Sequence, residues 1–147
     1  MAVLKYEKNV VRQSRASNPV HPEITHPAVF LKGGAQWGIN FHMNWECISQ
    51  PFLMEPAAMV HEFDQILCFM GGNITDLWDF GAEVELTLGE GKDAEMYLIN
   101  SPATVWVPRG LKHGPLFFKK IDKPIMFHNI VFVPQYVRPE RKSQVKK

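Results

Sequence analysis

Eleven prolines and ten glycines are spread through 147 residues, and few windows between them keep apolar residues at helical spacing. A chain interrupted this often builds short strands and turns more readily than long helices. Strands are expected at 28–32, 36–42, 44–49, 59–70, 82–88, 95–99, 104–107, 116–120 and 125–133, where β-branched and aromatic residues gather. Between them, "GGNITDLWDFG" reads as a loop or a turn of helix, and "LGEGKDA" as a glycine-bearing hairpin connection. Many short strands favour an all-β barrel or jelly roll over a layered α/β fold.

The length suits one domain with a real core. Sixteen basic against fifteen acidic residues leave a net charge of +1, so no whole-molecule field gathers nucleic acid or an anionic membrane. The most apolar stretches, such as "IMFHNIVFV", fall far short of the roughly 20 residues a bilayer crossing needs. Two cysteines and an opening "MAVLKYEKNVVRQ" without a signal-peptide core give a cytoplasmic expectation, with no disulfide required. The expected layout is an N-terminal arm over 1–27, a barrel over 28–137 and a basic tail over 138–147.

The stretch "MVHEFDQILCFMGGN", residues 59–73, carries polar side chains ahead of an apolar run that stops at two glycines. Read as a strand, it puts Met59, His61, Phe63 and Gln65 on one face. His61 and Gln65 would then converge inside a barrel as the start of a metal site, or His61 would be a hydrogen-bonded histidine at its polar mouth. A second polar point lies in "VPRGLKHGPLFF", where Pro108 and Gly110 form a tight turn leading to His113.

At these residues the sequence resembles the cupin superfamily, over about 45–133. The second cupin motif, G-x5-P-x-G-x2-H-x3-N, is matched by Pro108, Gly110 and His113, with Pro102 and Phe117 in its glycine and asparagine slots. In the first motif, G-x5-H-x-H-x3-4-E-x6-G, His61 takes the second histidine slot and Gly72 the closing glycine. Met59 stands where the first histidine would be, and Gln65 replaces the glutamate. "HEFDQILCFMGG" is also similar to the version of this motif in small single-domain bacterial cupins.

The resemblance implies a double-stranded β-helix, a small-molecule ligand or substrate, a homodimer and a metal site at His61, Gln65 and His113. The ion would be divalent Fe, Mn, Ni or Zn. Loss of the family carboxylate implies weaker or unusual metal binding. Glu46 and Glu55 are nearby candidates to replace it, and Glu62 has the wrong parity. Met59, Phe63, Trp106 and His128 are expected around the pocket, His128 because it shares parity with Met126 and Ile130, although that face could equally be the outer one. His21, His26 and His42 read as structural or solvated, and Glu83 and Glu85 as the wet face of a half-buried strand.

No nucleophile elbow, phosphate loop, dinucleotide fingerprint or C-x-x-C pair occurs, so no catalytic residue is assigned. Three functions follow: a metal-dependent isomerase, lyase or oxygenase, a ligand-binding or sensing domain that has lost a working metal site, or a structural role in which exposed apolar strand surface is buried in a homodimer.

Overall fold

The computed structural model describes residues 2 and 4–134, so the expected basic tail lies outside the described residues. The chain runs through β1 (Val29–Lys32), a one-turn helix α1 (Gly33–Trp37), β2 (His42–Ile48), β3 (Phe52–Glu55), β4 (Gln65–Gly71) and β5 (Ala82–Leu88). It continues through β6 (Glu95–Ile99), β7 (Ala103–Val107), β8 (His113–Ile121) and β9 (Ile125–Val131). All pairings are antiparallel, forming a five-stranded sheet in the order β1-β2-β9-β4-β7 and a four-stranded sheet in the order β3-β8-β5-β6. This is the all-β jelly roll expected from the strand pattern.

The sheets close on an aromatic core. Phe118 of β8 is fully buried, stacks on Phe52 of β3 at 5.3 Å, and meets Phe127 of β9 edge-on at 5.7 Å. Phe69 of β4 lies 5.2 Å from Phe127, so these rings join both sheets across the interior.

The interior changes character along the strands. In β2 the inward positions run Asn44, Glu46, Ile48; in β4, Gln65, Leu67, Phe69; in β9, Val131, Asn129, Phe127, Ile125. Register brings polar side chains to one end, since Asn44 faces Asn129 and Gln65 donates to Asn129. One end of the barrel interior is therefore apolar, and the other is a polar mouth.

The structure departs from the expected strands in three places. Residues 36–42 are not one strand: "GGAQW" forms the single turn α1, and Gly38 ends it in the left-handed conformation at φ 70°. The segment "FLME" is a strand, because Phe52 and Leu53 pair with Phe118 and Phe117. The run 59–70 becomes strand only at Gln65. The segment expected as an arm packs closely: Ala16 bridges Ala28, Ile24 enters the core, and Gln50 donates to the Glu23 carbonyl at 2.6 Å. Among the described residues no helix is long and apolar enough to cross a membrane.

Candidate functional site at the barrel mouth

His61 sits in a loop, and it is placed by stitching between two loops. Met59 and His113 exchange backbone hydrogen bonds of 2.7 and 2.9 Å, and Gly110 donates to the His61 carbonyl at 2.8 Å. Asp64 completes the join, its side chain accepting the Arg109 amide at 3.0 Å and its carbonyl accepting the Phe132 amide at 3.0 Å. On the other side the turn closes from the Leu111 amide to the Pro108 carbonyl at 3.2 Å, with Gly110 at φ 82°. A positive φ at the third turn position favours glycine, which explains its place in the motif.

The result brings His61 and His113 together, their rings 4.9 Å apart at centroid and inclined by 55°. Phe63 stacks on His61 at 4.7 Å and helps fix that ring. Gly114, at φ 109°, lets β8 approach so closely that a Cβ there would lie 2.6 Å from the Ala57 carbonyl oxygen. Met59, His61, Gln65 and His113 line one cavity of about 60 Å³, together with Glu55 and Asn129.

Two polar groups in this cavity have a defined state. His113 is 6% exposed, and its Nδ1 lies 3.1 Å from the Leu111 carbonyl oxygen, which fixes that nitrogen as the donor. Nε2 therefore carries the lone pair. Burial pulls the His113 pKa below the ordinary histidine value, outweighing the Leu111 carbonyl, so the ring is neutral at pH 7. Gln65 donates from Nε2 to Asn129 Oδ1 at 2.8 Å, while its Oε1 is buried and has no hydrogen-bond partner. A buried amide oxygen in that condition is costly unless something else meets it.

This donor set, two imidazoles and an amide oxygen, fits a divalent ion in kind but lacks an anion. Among the described residues no group of three or more His, Cys, Asp or Glu is placed to hold a metal. Glu55 lines the cavity without completing such a group, and Glu62 is exposed.

Two expected pocket residues point elsewhere. His128 faces outward and stacks on Trp45 at 4.5 Å, because the inward parity of β9 belongs to Phe127, Asn129 and Val131. Trp106 is 65% exposed and lies beside a separate hollow of about 410 Å³ between β6 and β7. Sequence reading missed Asn129, which parity with Phe127 would have turned inward. It also missed Asn44 and read His42 as structural, although both line a second cavity of about 150 Å³ beside the first.

No protein-family model matches the sequence, and no curated protein matches it. Among solved structures the chain is similar to an oxalate oxidase in complex with glycolate, at 15% identity and a TM-score of 0.52, over 82% of this chain and 57% of that one. It is similar to an oxalate decarboxylase of Bacillus subtilis at 11% identity and a TM-score of 0.53, over 82% of this chain and 32% of that one. The fold is the cupin-type jelly-roll barrel. The chain spans little more than half the length of the oxalate oxidase.

Proposed function

We propose that the protein binds a small oxygen-bearing molecule at the barrel mouth and holds a divalent transition metal, of the Fe, Mn, Ni or Zn class, between His61, Gln65 and His113. The observation that carries this reading is the unsatisfied Gln65 Oε1 beside two imidazoles, one of which has its lone-pair nitrogen set by the Leu111 carbonyl. A bound ion would supply Lewis-acid polarisation of a ligand oxygen, the chemistry that isomerases, lyases and oxygenases share. The chain's own part is to orient. Leu111 fixes the His113 tautomer, Phe63 packs the His61 ring, and Asn129 holds the amide of Gln65. Some of the solved structures with this fold are enzymes acting on oxalate, which supports a small-molecule ligand here.

The missing carboxylate favours a second reading, a binding or sensing barrel that works without metal. Replacing His113 with alanine separates the two. On the metal reading, divalent uptake measured by elemental analysis falls to background while the β-sheet circular dichroism is retained. Metal content equal to wild type removes His113 from the site, and ligand-induced thermal stabilisation that survives chelator favours the metal-free reading.

We also propose a homodimer through the edges β6 and β7. Met96, Leu98 and Trp106 are exposed on these two edge strands, whose free backbone groups the same edges of a second copy can pair by two-fold symmetry. Trp106→Lys should convert the dimer to monomer in light scattering. A wild-type protein that is monomeric at all concentrations rules the dimer out.

A further inference from the structure

Beside the metal-type cavity lies the compartment of about 150 Å³, sharing Met54, Glu55, Phe127 and Asn129 with it. Its roof is Asn18–His21 of the N-terminal segment. Asn18 is locked there, because its Oδ1 accepts the amides of Val20 at 2.8 Å and His21 at 2.7 Å. That leaves its Nδ2 directed at Glu46 Oε2, 2.5 Å away.

Glu46 is 3% exposed, and Asn44 Nδ2 donates to its other oxygen. Two amides thus hold one carboxylate in a fixed orientation. An ionised carboxylate has about four acceptor positions, so two hydrogen bonds leave it able to accept more. Burial pushes the Glu46 pKa up, against the two asparagine hydrogen bonds.

The electrostatics of the compartment favour one kind of guest. Among the described residues lining it are Glu46 and Glu55 but no Lys or Arg, and His42 is held below the ordinary histidine value by burial and by Lys32. An anionic group entering here meets the buried Glu46 carboxylate. A hydroxyl or an ammonium meets an oriented acceptor. The inner face of the sheet joins the two compartments, since Asn44 is directly opposite Asn129 and Asn129 holds Gln65.

We propose that this compartment is a recognition subsite in which Glu46, oriented by Asn18 and Asn44, accepts a hydrogen bond from the hydroxyl or ammonium end of a small carboxylic acid whose carboxylate lies at the ion proposed between His61, Gln65 and His113. The inference rests on the ligand-binding reading above and adds the class of ligand. It also makes the N-terminal segment part of the site.

The test is calorimetric titration of the full chain, with and without Mn²⁺, against propanoate, 3-hydroxypropanoate, 3-aminopropanoate and butanedioate. Wild type should bind at least one of the two donor-tailed acids about tenfold tighter than propanoate, as expected for a hydrogen bond to a charged group, and should bind butanedioate weakest. If the amine is preferred, Glu46→Gln should remove that preference while metal content stays at the wild-type level. Should Glu46→Gln fail to fold, Val20→Trp fills the compartment from its roof and should weaken the tailed acids while sparing propanoate. A wild type indifferent to the tail, or an amine preference unchanged in Glu46→Gln, overturns the proposal. A tail preference that persists in wild type that takes up no metal supports the subsite and counts only against the metal.

Discussion

Gln65→Glu is expected to tighten divalent-ion binding by about tenfold to a hundredfold. The attraction between unit charges about 4 Å apart is about 4 kcal/mol at an effective dielectric near 20, and it is larger for a doubly charged ion. Burying the added carboxylate costs several kcal/mol, so a net gain of ~1–3 kcal/mol remains, which is the stated range of affinity. The geometry accommodates the change. Asn129 Oδ1 now accepts from Gln65 Nε2 at 2.8 Å, and rotating the Asn129 amide offers Nδ2 to a glutamate oxygen instead. Without metal the same variant has an uncompensated buried charge and should melt below wild type, so the melting-temperature gap between metal-free and metal-loaded protein widens. Titration calorimetry and thermal melts read the two effects separately. Unchanged affinity would mean that Gln65 Oε1 does not face the ion.

Phe118→Ala tests the barrel itself and should be the most destabilising single truncation considered. Phe118 is fully buried, stacks on Phe52 and contacts both Phe69 and Phe127, so its loss opens a cavity where the two sheets meet. Truncations of this kind cost about 3–5 kcal/mol, against a total stability of roughly 5–15 kcal/mol for an ordinary domain. A fall in melting temperature of roughly 10 °C is the expected reading for a chain of this length. A loss near zero would mean that the sheets do not close on this ring. The exposed Trp78→Ala is the matched control, and its effect should be small.

Much of this architecture was legible in the sequence because period-two alternation is a local signal. β5 and β6 fall at the expected 82–88 and 95–99. The strand "FLME" was not legible, since only Phe52 among its four residues favours a strand and its state comes from pairing with Phe117 and Phe118. The cavity-lining set of His61, Gln65 and His113 was reached through the motif resemblance and through a parity argument whose premise fails, because His61 precedes the strand. Hydrogen bonds from Met59 to His113 and from Gly110 to His61 do the placing, and such contacts leave no periodic trace. His128 shows the converse case, since both faces were left open for it. Parity was available, but choosing Phe127 and Val131 as the inward set required knowing which face of β9 meets the other sheet. The polar group of Asn18, Asn44 and Glu46 joins residues up to 28 apart and was invisible until the N-terminal segment folded over the mouth.

The most direct measurement is an anomalous difference map from crystals grown with Mn²⁺. The account predicts a peak at ligand distance, roughly 2.0–2.3 Å, from His113 Nε2, a ring nitrogen of His61 and Gln65 Oε1. A well-ordered barrel mouth with those three side chains in place and no anomalous peak between them would contradict it.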